Sequence, residues 1–282
     1  MQLSKIKDTV PGTLAVAFIL CVVCSLVVSG AAVSLKRVQE DNAALDQQKN
    51  ILDAAGLAVG EYGVSASSLE PEQVEQLYGR VSEEIVNLRD GTPNADYPVD
   101  DFDLIAIAEN PKYSQSFQEL REENADYAGP EFDFGEERRL DIMKVFYVKD
   151  AAGTIQQVVL PIYGKGLWGS LYGYMALKND LQTIQGITFY QHKETPGLGG
   201  EVDNPAWKEQ WQGVKLYDEN GVPQAYVYKG AAPDDNVYAV DGLSGATITS
   251  RGVTNLVRYW ASEDGYKPLL RRLKQEMNSK GT

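Results

Sequence analysis

Three short runs gather residues that could hold a ligand. In Asp241-Gly242-Leu243-Ser244-Gly245-Ala246-Thr247-Ile248-Thr249-Ser250, small residues and hydroxyls lead directly into a predicted helix. Free N–H groups and the positive dipole end at a helix N-terminus make a ready phosphate seat. No Lys follows as in a Walker loop, and a Ser/Thr-rich capping loop has the same composition. In His192-Lys193-Glu194-Thr195-Pro196-Gly197-Leu198-Gly199-Gly200, an imidazole, a carboxylate and a hydroxyl stand beside three glycines. Glycine lets backbone amides approach a ligand closely and form anion-binding concavities; an ordinary Gly/Pro loop is the competing reading. Gly164-Lys165-Gly166-Leu167-Trp168-Gly169 matches G-x-G-x-x-G after a strand. A dinucleotide site needs a helix next. Residues 170–177 alternate like a strand instead, so a hairpin turn exposing Leu167 and Trp168 is expected. A flat ring could lie on such an exposed apolar pair.

The inventory excludes other chemistries. His192 is the single histidine, so no site can use two or three imidazoles. With no identifiable partner for His192, a hydrolase built on the Ser244 or Thr247 hydroxyl lacks a base. Cys21 and Cys24 are the two cysteines and cannot hold an iron–sulfur cluster by themselves. The 282 residues include 26 basic and 40 acidic side chains, a net charge of −14. Phosphate backbones need a basic surface, so nucleic acid is a poor partner. No catalytic residue and no metal ligand is assigned.

The average hides a split. Residues 13–35 are uncharged and apolar, flanked by Lys5 and Lys7 before and Lys36 and Arg37 after. At 1.5 Å per residue such a run spans roughly 34 Å, enough to cross a hydrocarbon core. A cleaved signal peptide, cut near Ser29-Gly30-Ala31, is the rival; the length of the run and the two cations just beyond favour an uncleaved anchor. Equal flanking charges leave the orientation open. Cys21-Val22-Val23-Cys24 resembles a redox C-x-x-C but lies mid-run, where small apolar residues of a membrane helix explain it. Beyond residue 37 the chain carries 22 basic and 39 acidic residues, net −17, and no cysteine. That is one acidic soluble domain, large enough to bury most of its unfolded surface.

Along this domain, residues 36–57 read as a stalk helix and Pro71 to Leu88 as a second helix, started by Ser68 and Glu70-Pro71. Residues 89–139 are acidic and punctuated by Pro and Gly; a carboxylate cluster could bind a cation, but a solvated loop surface is the plainer reading. Period-two runs follow at 142–149, 155–163, 170–177, 183–190, 213–218 and 224–229. A helix over 250–262 with Ser250 as N-cap, and a last helix over 266–278, close the chain. Helices on either side of a mainly antiparallel sheet define an α+β class.

The run from Asp241 to Thr247 resembles the Asp-x-x-(Ser/Thr)-Gly-Ala-Thr signal read by flavin transferases. His192 to Gly199 is similar to the second signature of the same FMN-binding domain family. With both motifs in order about 50 residues apart behind one apolar helix, the whole chain resembles the C subunits of the sodium-translocating NADH:quinone reductases. The G subunits of Rnf electron-transport complexes share both motifs; the longer segment between stalk and β-region favours the first. The resemblance implies FMN joined through its phosphate to the Thr247 hydroxyl, with Asp241, Ser244, Gly245 and Ala246 forming the loop the transferase grips. It also implies that His192, Glu194, Thr195, Leu198 and Gly199 line the other side, the polar groups bonding the flavin and Leu198 packing its ring. Leu167 and Trp168 would cover a ring face. The implied layout is an N-terminal cytoplasmic tail (1–12), a transmembrane helix (13–35), a stalk helix (36–57), a helical and acidic loop-rich region (58–139) and an FMN-binding domain (140–282). The implied function is electron relay in a bacterial inner-membrane complex, with the soluble domain on the periplasmic side. Other subunits, a flavin transferase and the lipid bilayer are the implied partners. A cofactor-free, membrane-anchored binding or scaffold protein is the competing class.

Overall fold

A computed structural model describes residues 9–280; most of the expected N-terminal tail, including Lys5 and Lys7, lies outside them. The expected membrane and stalk helices are one helix, α1 (Val10–Ala54), without a break at residue 36. Its apolar half is exposed, and it is long and apolar enough to cross a membrane. It stops at Ala54 because Gly56 takes a left-handed conformation (φ 66°) that glycine alone adopts freely. The chain divides into two units, one through Gln47 and one from Gln48 onward.

In the second unit, α2 (Leu57–Tyr62) and α3 (Pro71–Tyr78) precede strand β1 (Val81–Asn87). The sequence predicts helix through Leu88; α3 instead ends at Gly79 and the chain pairs with the sheet. Glu83 and Glu84, good helix formers, are partnered in the strand conformation. Glu83 accepts from Tyr78 Oη at 2.6 Å and Lys144 Nζ at 3.0 Å, and Glu84 from Tyr147 Oη at 2.9 Å. Tertiary pairing overrides local propensity here. The acidic stretch then forms α4 (Leu104–Glu109), a small β2 (Ser114–Ser116), α5 (Phe117–Glu123) and β3 (Arg138–Leu140), with β2 and β3 paired.

The main sheet adds β4 (Ile142–Lys149), β5 (Ile155–Lys165), β6 (Ser170–Lys178) and β7 (Ile184–Gln191) in the order β1-β4-β5-β6-β7, antiparallel throughout. The short α6 (Pro205–Glu209) follows. The expected strand at 213–218 is reduced to isolated bridges, and that at 224–229 to β8 (Tyr226–Val227), parallel to β9 (Ala239–Val240). Helices α7 (Thr247–Trp260) and α8 (Lys267–Lys280) close the fold. Alternation along the strands makes two buried faces. Val158, Leu160 and Ile162 join Val253, Leu256, Val257 and Trp260 of α7 in one core, while Phe146, Val148, Val159 and Tyr174 are buried outside it. The end of α1 lies against β7 at Gly186, where a Cβ would fall 2.5 Å from the Ala54 carbonyl. Trp260 Nε1 donates to the Tyr163 carbonyl and Tyr266 Oη to that of Pro161, fixing both ends of the α7–α8 turn to β5.

Candidate functional site

The β5–β6 hairpin closes through residues 166–169, with Gly166 N donating to the Gly169 carbonyl. No helix follows, and Leu167 and Trp168 stand 47 % and 65 % exposed at the tip. The tip is held from two sides. Gly252 of α7 lies on the Lys165 carbonyl, 2.3 Å from where a Cβ would sit, so only glycine permits this approach of helix and hairpin. Glu194, buried at 5 % exposure, accepts from the backbone N–H of Leu167 and of Trp168, both at 2.9 Å, through Oε1. Its Oε2 accepts from Thr249 Oγ1 at 2.5 Å. A carboxylate offers about four lone-pair sites. Three are spent on protein donors, so Glu194 ties the hairpin, its own loop and α7 together.

The loop bearing Glu194 is itself pinned. His192 Nδ1 accepts from Glu194 N at 3.1 Å, which leaves the proton on Nε2 to bond Asp203 at 2.7 Å. His192 therefore has a partner that the sequence did not disclose, and both ring nitrogens serve the loop. The Thr195 carbonyl accepts from Leu198 N and Gly200 N, and Gly199 fits against Glu194 and Thr249 where a Cβ would meet oxygen at 2.5 and 2.6 Å. Thr195 and Leu198 face solvent. Leu198 reaches Gly245, its Cδ2 2.8 Å from the position of a Cβ there. The two motif loops thus meet in space, at a glycine held at φ 70°.

In the second loop Asp241 acts as a brace. Its carboxylate accepts from Ala232 N at 2.7 Å and Gln210 Nε2 at 3.2 Å, and its carbonyl from Trp207 Nε1 at 2.8 Å. Gly242 packs against main chain, 2.4 Å from the Tyr228 carbonyl at the Cβ position. Leu243 N donates to Ser250 Oγ at 3.1 Å. Ser250 is therefore inside α7, not its N-cap; the N-cap is Ala246, which has no side chain able to cap. The apolar periodicity begins after Ser250 and so predicts a cap there, but the helix starts one turn earlier, at Thr247.

Four hydroxyls compete for a phosphoester. Thr249 is fully buried on Glu194, and Ser250 is buried on Leu243 N. Thr247 and Ser244 are exposed, and their hydroxyls make no hydrogen bond with another described residue. Thr247 is the first residue of α7, beside a cleft of about 230 Å³ lined by Val227, Tyr228, Lys229, Gly230, Arg251 and Thr254, among others. An uncapped helix start, an unpartnered hydroxyl and exposed Leu198 and Ile248 nearby fit a phosphoryl group carrying a flat ring. Asp203, Gly252, Lys229 and Arg251 join the site without being marked in the sequence, while Thr249, a hydroxyl of the quoted run, is engaged by Glu194. Gly252, a glycine in the interior of a predicted helix, was the available signal of close packing.

The FMN-binding domain family matches residues 166–262, which contain the hairpin turn, β6 and both loops. The C subunit of the Na(+)-translocating NADH-quinone reductase of Yersinia pestis is 40 % identical over 276 residues, covering 95 % of each chain. The same subunit of Pseudomonas aeruginosa is 39 % identical, covering 95 % of this chain and 98 % of its own. The crystal structure of Shewanella oneidensis NqrC superposes with a TM-score of 0.69 at 32 % identity, over 81 % of this chain and 96 % of that one.

Proposed function

This chain belongs to the family of C subunits of the Na(+)-translocating NADH-quinone reductases, and from that premise we propose that it carries one FMN as a phosphoester on Thr247 and relays electrons within that complex. The observation that carries the attachment is the Thr247 hydroxyl: exposed, unpartnered and at the uncapped start of α7, while Thr249 and Ser250 nearby are buried and engaged. FMN supplies the one-electron chemistry when bound. The chain's own residues hold and orient it. Glu194 and Gly252 fix the hairpin against α7, Asp241 braces the attachment loop, and Leu198 bridges the two loops at Gly245.

Thr195, Leu198, Leu167 and Trp168, all exposed, line the ring's side of the site. A flavin transferase makes the bond, α1 anchors the chain in the bacterial inner membrane, and the domain from Lys36 onward lies in the periplasm. The other subunits of the reductase are its partners. A denaturing gel of membranes viewed under ultraviolet light tests the attachment: a yellow-green band at the mass of this chain is expected. A dark band from cells that make the transferase overturns the covalent attachment.

A further inference from the structure

We propose that Arg251 and Lys229 seat the phosphoryl group of the Thr247-bound flavin, so that its polar tail enters the cleft between α7 and residues 227–230 while the ring lies toward Leu198 and Ile248. The inference rests on the Thr247 attachment reading and adds the charges that orient the group. Thr247, Arg251, Thr254 and Arg258 recur at i, i+4, i+7 and i+11, one face of α7. The C-terminal half of that face is consumed. Thr254 Oγ1 accepts from Val227 N at 3.0 Å, and Arg258 donates to the carbonyls of Ala225 and Gln224 at 3.1 and 2.9 Å. The N-terminal half is open. Thr247, Arg251 and Lys229 all line the cleft, and none of their side chains makes a hydrogen bond or ion pair with another described residue.

In a chain with 40 acidic against 26 basic residues, carboxylate partners are plentiful; Arg89, Arg138, Arg139, Arg271 and Arg272 each have one. Arg80, Lys149 and Lys193 are also without a carboxylate among the described residues, but Arg251 and Lys229 are the two cations that line the cleft beside Thr247, where a charge brought by a ligand would meet both. A phosphodiester carries one negative charge, and guanidinium–phosphate hydrogen bonds are among the stronger ones available. The cleft's far wall is main chain: Gly242 N donates to the Gly230 carbonyl at 2.8 Å, and Gly242 leaves no room for a Cβ against Tyr228. At about 230 Å³ the cleft is below the usual range for whole small-molecule ligands, so it holds one end of the group and not all of it, and the cations place the phosphoryl end there. Ile248, about 100° around the helix from Thr247, is exposed between the cleft and the hairpin side marked by Gly252.

The test is a double-mutant cycle on the full chain in detergent, read as the midpoint of thermal unfolding. Arg251→Gln is made in the parent, confirmed by intact mass to carry covalent flavin, and in Thr247→Ala. In the flavin-bearing parent Arg251→Gln should lower the midpoint by about 2–4 °C, and Lys229→Gln by less, since Arg251 sits one turn from Thr247. Arg251→Lys should restore most of the loss, and high salt should shrink it. In Thr247→Ala the same changes should do nothing. Equal shifts in both backgrounds, zero included, overturn the proposal and leave Arg251 an ordinary surface cation. A parent without covalent flavin overturns the attachment reading itself, which the mass reports separately.

Discussion

Glu194 and Thr249, 55 residues apart, share a 2.5 Å hydrogen bond in the interior, and the other oxygen of the same carboxylate holds the N–H groups of Leu167 and Trp168. One buried side chain thus ties the two sequence motifs to the hairpin between β5 and β6. Removing its charge separates a structural role from a role in tuning a flavin. A hydrogen bond to a charged group contributes about 1.5–3 kcal/mol. Glu194→Gln keeps the shape but turns an amide N–H₂ toward one set of donors. The thermal midpoint should fall by several degrees while covalent flavin is retained and its potential stays within error of the parent. A shifted potential at unchanged stability would make Glu194 a ligand of the flavin instead.

Thr247→Ala should leave a folded, membrane-inserted chain without covalent FMN, and Thr247→Ser should keep it, because the phosphoester needs only a hydroxyl oxygen. Intact mass distinguishes these outcomes. Retention of FMN in Thr247→Ala would move the attachment to Ser244, the other exposed and unpartnered hydroxyl of the loop.

Gly242→Ala tests the wall of the cleft. The added methyl would fall 2.4 Å from the Tyr228 carbonyl and 2.9 Å from Gly230 N, both main-chain atoms that cannot swing aside. Overpacking of this kind costs about 1–3 kcal/mol. Reduced thermal stability and reduced flavin incorporation should appear together. Gly213→Ala, where no atom lies within 4 Å of the new methyl but φ is 91°, should show the backbone strain alone.

Two surface turns contribute to the acid sensitivity of the fold. Asp150 accepts from Ala152 N and Thr154 N, and Asp218 accepts from Asn220 N and Val222 N, each bond at 2.9 Å. These backbone hydrogen bonds, from Thr154 and Val222 first, hold both carboxyls below the ordinary aspartate value. A pKa depressed by folding contributes stability that is complete above the unfolded value near 4 and disappears as pH falls through the folded one. The double variant Asp150→Asn/Asp218→Asn should therefore lose less stability than the parent between about pH 5 and 3. Acid titration followed by circular dichroism measures it; parallel curves would remove both turns from the acid response.

The orientation of α1 has its own test. Protease added to spheroplasts should digest the domain beyond Lys36 and leave the apolar segment protected. Full protection of that domain would place it in the cytoplasm.

Local signals carried a good part of this protein. The apolar run behind α1, the period-two strands β4 to β7, the turn glycines and the helical spacing of Val253, Leu256, Val257 and Trp260 are each written in neighbouring residues. The motif loops could be named for the same reason: glycines, hydroxyls and a carboxylate crowd into a few positions. What neighbours do not encode is partnership across the chain. Residues 81–87 read as helix by propensity, and only pairing with β4 makes them a strand. His192 read as solitary until Asp203 folded back to it. The four hydroxyls after Gly242 are equivalent as letters. Burial under Glu194 and Leu243 takes two of them out of reach, and the start of α7 presents Thr247 beside Arg251 and Lys229. Hydroxyl chemistry is set by residue type, but availability is set by which groups desolvate and engage it, and the carboxylate that claims Thr249 comes from 55 residues away along the chain.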